Sequence, residues 1–295
     1  MPERPRHPGR GILLVLLAVC VFSCMDATAK YLAARHPLPM LVWARYTVHF
    51  LLMVLFLAPS HRSALLATRR LGAQVARALL LLGVTGCVIA ALKVLPLAEA
   101  TALGYTSPLL AALLAGPWLG EKLDARRWLA LTMGFVGVLF IARPGGALVG
   151  VGVLYALAGA SCYAVYQVMT RQLSTSENSL TLLFYTALVG TLLSSLALPW
   201  LGMGSLPTGL DLLLTLSLGA MGGLGHFLLI RAFHHAPVGT IGPFLYAQLM
   251  WAMLIGWLIF DHLPDTWSLL GMAIIVSSGL AVALGKKAVR PEAST

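Results

Sequence analysis

Ten mostly apolar stretches, each about 20 residues long, follow one another along this chain, separated by short clusters of Pro, Gly and basic residues. A helix rising about 1.5 Å per residue needs about 20 residues to cross a hydrocarbon core about 30 Å thick. The pattern therefore calls for an all-α integral membrane protein with ten transmembrane helices. Strands of a membrane barrel would alternate apolar and polar residues, and these segments do not. Composition excludes the soluble alternative. Hydrophobic residues make up 59% and charged residues 10% of the chain, with a mean hydropathy of +0.88, against about 45–50% and about 25% in soluble domains.

The spans are predicted near 11–32, 39–59, 73–92, 97–118, 125–142, 150–172, 180–200, 210–231, 238–260 and 266–285. The basic residues before Gly11 imitate a signal peptide. The apolar run continues through Ala29 without a clear small-residue cleavage site, so it reads as a retained first span. With the N-terminus inside, fifteen of the 20 Lys and Arg lie on the inner side, Arg62, Arg69, Arg70, Arg77, Lys122, Arg126 and Arg127 among them. Four, Lys30, Arg35, Lys93 and Arg143, lie outside, and Arg45 lies within a span. This asymmetry predicts both termini in the cytoplasm, and a bacterial-type inner membrane is the location expected. The net charge of +10 then faces anionic lipid, and no nucleic-acid partner is needed. Trp43, Trp200, Trp257 and Trp267 fall near outer ends and Trp118 and Trp128 near inner ones, as interfacial indoles do. Cys20, Cys24, Cys87 and Cys162 all sit in apolar stretches, where they act as small hydrophobes.

The halves repeat. At an offset of 141, Gly11 pairs with Gly152, Phe22 with Tyr163, Lys30 with Arg171 and Leu32 with Leu173. With small shifts the series continues through Pro59 and Pro199, Gly83 and Gly219, Lys93 and Arg231, and Glu121 and Asp261. Each copy holds five spans, an odd number, so the second must cross in the opposite sense. The result is two inverted five-helix repeats, 11–145 and 146–285, between cytoplasmic tails 1–10 and 286–295. Inverted repeats are the architecture of alternating-access carriers, whose solute site lies near the midplane between the halves.

One stretch of motifs carries a resemblance. Pro96-Leu97-Ala98-Glu99-Ala100-Thr101, Pro108, Gly120-Glu121-Lys122, Arg127-Trp128, Gly134-Phe135-Val136-Gly137-Val138 and Arg143-Pro144-Gly145 are similar to the first-half signature of the drug/metabolite transporter superfamily, EamA-type. The resemblance covers Gly11 to about Gly285. It implies ten helices and proton-coupled or facilitated movement of small metabolites such as amino acids, nucleotide-like cofactors and vitamins. The second half departs from the pattern, with Ala236-Pro237 in place of Ala-Glu and Phe260-Asp261-His262 in place of Gly-Glu-Lys.

Several residues are candidates for the substrate or proton site. Asp26 lies 15 residues past Gly11, about 22 Å into the core, and Arg45 lies about 9 Å below the outer start of the second span. The two share a depth, and charges there must pair or face water. They read either as an ion pair knitting two spans or as a site, with Lys30 a competing partner for Asp26. The second half has Gln167 and Phe184 at the equivalent places. His49 lies one turn below Arg45 and could titrate near neutrality or simply pack, with His226 a candidate partner. Spans four and nine are interrupted at Gly104-Tyr105-Thr106-Ser107-Pro108 and Gly242-Pro243-Phe244-Leu245-Tyr246. Such paired interruptions point to a carrier's site, though packing kinks look the same. Tyr105, Tyr163, Tyr166, Gln167, Tyr246, Gln248 and Trp251 would line a cavity for a planar or partly apolar solute. Glu99 either favours the helix start or lines a vestibule.

No catalytic residue, metal site or cofactor is expected. There is no His-Glu-x-x-His, His234-His235 has no acidic neighbour in sequence, and the Gly279 to Lys287 stretch departs from a phosphate loop. The leading reading is a non-enzymatic secondary active or facilitative transporter of a small organic metabolite, working by alternating access. The alternative is a membrane enzyme or flippase acting on lipid-linked groups. Partners are a small-molecule substrate and membrane lipid, with a homodimer one arrangement the sequence leaves open.

Overall fold

The structure, a computed structural model, describes residues 8–61, 65–119, 125–143, 150–174, 176–235 and 241–284. Among them every regular element is helical. In the first half these are α1 Pro8–Ala33, α2 Leu38–His61, α3 Leu71–Val94, α4 Leu97–Gly104, α5 Ser107–Leu119 and α6 Ala125–Ala142. In the second they are α7 Val151–Leu173, α8 Ser179–Leu201, α9 Gly209–His235, a 3-10 stretch Gly242–Tyr246 running into α10 Ala247–Phe260, and α11 Thr266–Leu284. Because α4 and α5 make one interrupted span, these elements amount to the ten expected. Among the described residues eight helices are long and apolar enough to cross a membrane, and Trp128–Ala142 and Thr266–Val282 form two shorter apolar helices. Leu55, Phe56, Leu196, Trp200, Met250 and Leu258 stand exposed on the outer surface, where water would disfavour them and lipid would not.

The helix ends follow local chemistry. Asn178 caps α8 by accepting from the Leu180 N–H at 2.9 Å, and Asp265 caps α11 by accepting from Ser268 N–H at 2.9 Å. Pro59 and Pro199 fall in the last turns of α2 and α8, where the bond each removes to the carbonyl four residues back disturbs only the end of the helix. Asp261 closes α10 in the left-handed region at φ 51.

The packing carries the internal two-fold. The contact of α1 on α9 is mirrored by α7 on α3, that of α2 on α9 by α8 on α3, and that of α1 on α10 by α7 on α5. The pairs α2 with α8 and α6 with α11 are their own mirror images. Glycine sets how closely the last pair approaches. A Cβ on Gly137 would lie 2.8 Å from the Gly271 carbonyl oxygen, and one on Gly271 would lie 2.6 Å from that of Gly137, so small residues face each other across the axis. Gly190 likewise receives the Tyr46 ring where α2 crosses α8.

Polar ties at the two ends of the bundle obey the same symmetry. At the end where α1 finishes, His36 Nε2 meets the Asp211 carboxylate at 2.8 Å. At the opposite end Glu177, which is 141 residues after His36, accepts from the Arg69 backbone N–H at 3.2 Å. Two more ties hold the first of these ends. His262 lies 3.2 Å from Glu99, which is buried in the first turn of α4, and Arg143 pairs with Asp265. Glu121, Lys122, Pro144-Gly145 and Ala236-Pro237 lie outside the described residues.

Candidate functional site

A cavity of about 300 Å³ lies between the repeats, at the lower end of the size usual for ligand pockets, about 300–1,000 Å³. That volume is about the size of one small organic molecule. Its walls come from α1, α2, α3, α7 and α9 and from both interruptions.

Four pairs of positions separated by 141 residues organise it. Phe22 on α1 and Tyr163 on α7 are equivalent and both line the cavity, as do Asp26 and Gln167. Tyr105 and Tyr246 are equivalent too, and their rings pack with centroids 4.9 Å apart. Ser107 and Gln248 complete the set. Gln167 Nε2 donates to Ser107 Oγ at 3.4 Å, and its mirror image is Gln248 Nε2 donating to Asp26 Oδ2 at 3.2 Å. One half thus makes a neutral hydrogen bond where the other places a carboxylate.

The interruptions differ in kind. After Gly104 the chain turns through Tyr105 and Thr106, with Thr106 Oγ1 donating to the Leu103 carbonyl at 2.7 Å. In the second half Pro243 removes a donor and the chain tightens into a 3-10 stretch. Tyr105 Oη bridges them, 2.6 Å from the Leu245 carbonyl oxygen and 3.1 Å from Gln248 Oε1.

Arg45 enters the cavity from α2. It stands close enough to Asp26 to bias that carboxylate electrostatically, yet the two close no ion pair. A carboxylate and a guanidinium therefore share one cavity without neutralising each other by contact. Most of the remaining wall is apolar or aromatic, including Leu81, Val84, Val88 and Leu92 of α3, with the His226 ring edge-on to Phe22 at 5.2 Å and the hydroxyl-bearing Thr85 and Thr101 among the lining residues.

Of the ten residues singled out from sequence, Asp26, Arg45, Tyr105, Tyr163, Gln167 and Gln248 line this cavity. Four do not. His49 is buried against Gly223 of α9 with Nε2 unpartnered. Tyr166 turns away and stacks on Tyr163 at 5.6 Å. Tyr246 backs Tyr105 from behind, its hydroxyl pressed on Gly279 of α11. Trp251 packs on the Val15, Val19 and Ile241 cluster. Nor does Lys30 compete for Asp26, since its Nζ caps α3 instead by donating to the Leu92 and Leu95 carbonyls at 2.8 and 2.6 Å.

Arg77 corrects the sequence reading. Counted there among the inner-side cations, it lies six residues inside α3 and is 1% exposed. Its guanidinium donates to Tyr166 Oη at 2.9 Å, Thr170 Oγ1 at 3.3 Å, Thr186 Oγ1 at 2.7 Å and the Leu182 carbonyl. Neutral oxygens thus hold a buried cation that joins α3 to α7 and α8. The signal was available: Gln74 and Arg77, three apart in an apolar run, fall on one helix face.

Comparison with known proteins agrees with this two-fold arrangement. The pattern of the EamA-like transporter family matches twice, over residues 9–143 and 150–284. The chain belongs to the EamA-like transporter family. As an EamA-like transporter it is a multi-pass membrane protein, and its relatives span its length. It is 30% identical over 278 residues to the riboflavin transporter of Vibrio cholerae, covering 92% of each chain. It is 27% identical over 279 residues to the S-adenosylmethionine uptake transporter of Rickettsia bellii, covering 94% of each. It is 31% identical over 290 residues to the pseudopaline exporter of Pseudomonas aeruginosa, covering 94% of this chain and 97% of that one. A crystal structure with 22% sequence identity superposes with a TM-score of 0.66 over 93% of this chain and 96% of its own, which shows a shared fold.

Proposed function

We propose that this EamA-like transporter is a secondary carrier for a small dipolar organic solute, one with an anionic group, a cationic group and an apolar or aromatic body. The observation that carries the reading is the shared cavity in which Asp26 and Arg45 stand without pairing, walled by Phe22, Tyr105 and Tyr163. A solute carboxylate would lie on Arg45 and its cationic end on Asp26, each satisfying a charge that the protein leaves open. The aromatic rings would take the body. The spread of solutes in the relatives' names, from riboflavin to S-adenosylmethionine and pseudopaline, supports an organic metabolite and leaves its identity to experiment.

The carrier resides in a bacterial-type inner membrane with both termini in the cytoplasm, supported by the excess of basic residues at the end of the bundle where α1 begins. Its tails are 1–10 and 286–295, and its repeats 11–145 and 146–285. The halves rock about the cavity. The mirrored ties at opposite ends, His36 with Asp211 and Glu177 with Arg69, suit a device that opens one end at a time. No nucleotide motor is invoked, so uphill movement draws on an ion gradient or on solute exchange.

The test is flux into proteoliposomes of purified protein with aromatic amino acids, S-adenosylmethionine, riboflavin and a cationic drug, alongside thermal stabilisation in detergent. A ligand that binds the native state raises its apparent stability. A dipolar solute that moves and stabilises is the expected result. Movement confined to uncharged or singly charged solutes would remove the dipolar assignment, and silence across the panel with folded protein would count against transport itself.

A further inference from the structure

The polar network around Asp26 does more than hold a carboxylate. A charged carboxylate only accepts hydrogen bonds, so the Gln248 side chain must present its NH₂ to Asp26, at 3.2 Å. Its Oε1 is then left facing Tyr105 at 3.1 Å, and there the phenol must donate. The same phenol lies 2.6 Å from the Leu245 carbonyl oxygen. A hydroxyl carries one proton. Tyr105 thus has two acceptors and can serve only one of them fully, a side chain tied to Asp26 or the backbone of the 3-10 stretch. Ser23 Oγ adds a fixed strap, donating to the Gln248 backbone carbonyl at 3.1 Å, which keeps Gln248 beside α1 whichever way its side chain bonds.

We propose that Gln248 is a positioning residue that reports the charge state of Asp26 to the contact between the two helix interruptions, through the single Tyr105 proton. The proposal rests on the carrier reading and assigns a regulation to the same cavity. With Asp26 charged, Gln248 is oriented by it and draws the Tyr105 proton toward Oε1. With the Asp26 carboxylate drawn onto the cationic end of a solute, its hold on the Gln248 amide is weakened by competition and the proton returns to Leu245, tightening the first interruption onto the second. The interruptions lie in different repeats, so the change falls on the joint about which the halves must rock.

The inverted symmetry supplies the control. Gln167 and Ser107 occupy the mirror-image positions with a neutral bond, and the Tyr246 hydroxyl lies against Gly279, away from this network. Only the Asp26 side of the repeat holds a switch. The groups facing Asp26 are Arg45 from α2, Tyr105 from the first interruption and Gln248 from α10, with Tyr163 and His226 across the cavity.

The test is a coupling cycle that needs no solute. In the full chain with its four cysteines replaced by serine, Thr101, which lines the cavity, is changed to Cys and its labelling by N-ethylmaleimide is timed in detergent. Asp26→Asn is expected to change the rate by about threefold or more, as residues in one hydrogen-bond network couple. In Tyr105→Phe or Gln248→Leu backgrounds the same substitution is expected to change it by less than about 1.5-fold, a range within which independent sites add. In a Tyr246→Phe background the full effect should persist. Tyr105→Phe keeps the ring, and thermal unfolding in each background establishes that the protein is folded. An Asp26→Asn effect that survives Tyr105→Phe and Gln248→Leu, one that Tyr246→Phe also abolishes, or no effect in the parent overturns the relay. Labelling is independent of the proteoliposome flux, so loss of the carrier reading and loss of the relay give different results.

Discussion

Asp26 and Arg45 both face the cavity, and what they do there separates a functional site from a structural ion pair. A pair serving only to knit α1 to α2 would be closed, and this one is open. Asp26→Asn is accordingly expected to impair solute flux or flatten its pH profile while expression stays at the level of the parent, as measured in proteoliposomes across a pH series; unchanged flux with an unchanged profile would return Asp26 to a structural role. Arg77 is a different kind of buried charge. Its neutral partners lose their donor in Arg77→Ala, so the melting temperature in detergent is expected to fall, reflecting a loss of about 1–3 kcal/mol. Asp26 and Arg45 were legible in the sequence because a charge inside an apolar run is costly and conspicuous. Arg77 was misassigned because it lies near a helix start, where a six-residue error in depth turns a buried cation into an interfacial one.

Among the helices, α9 shows how small residues position a side chain that lines the cavity. A Cβ on Gly219 would lie 2.6 Å from Val48 Cβ and 2.8 Å from both the Arg45 carbonyl oxygen and the His49 nitrogen. Gly219→Val must push α9 off α2 and carry Arg45 with it. The expected cost is about 1–3 kcal/mol, read as a lower melting temperature together with weakened solute stabilisation. At the start of α11, the Arg143 guanidinium and the Ser268 N–H hold the Asp265 carboxyl down to about 2, below its ordinary 3.8. A depressed carboxyl stabilises the fold fully above its ordinary value and loses that contribution as pH falls toward the folded one. Asp265→Asn is therefore expected to lower stability at pH 7 by less than about 1 kcal/mol, since the pair is largely exposed. The difference from the parent should shrink when melting is repeated between pH 4 and pH 2 (about the window set by those two values). A constant difference would show that the charge is not what Asp265 contributes.

For the molecule as a whole, the inverted repeat makes orientation a strong test. Moving Arg77 into the bundle leaves fourteen basic residues at the end assigned to the cytoplasm and four at the other, so the asymmetry behind that assignment survives the correction. A green fluorescent protein fused at the C-terminus is expected to fluoresce, and alkaline phosphatase at the same place to stay inactive; the reverse pattern would invert the assignment of the two ends.

The number of spans, the five-plus-five repeat and its 141-residue offset were readable in one dimension, because lipid demands long apolar helices and a duplicated chain keeps its spacing. The pairs Phe22 with Tyr163 and Asp26 with Gln167 followed from that offset alone. Which side of each helix faces the cavity was a tertiary matter. Most faces of a membrane helix are apolar, so periodicity carries little direction, and Tyr166, Tyr246, Trp251 and His49 could not be told from residues that line the cavity. Helix packing turned Tyr166 toward Arg77 and pressed Tyr246 between Tyr105 and Gly279. It also drew Gln248 to Asp26 across 222 residues of chain, a contact that no local rule encodes.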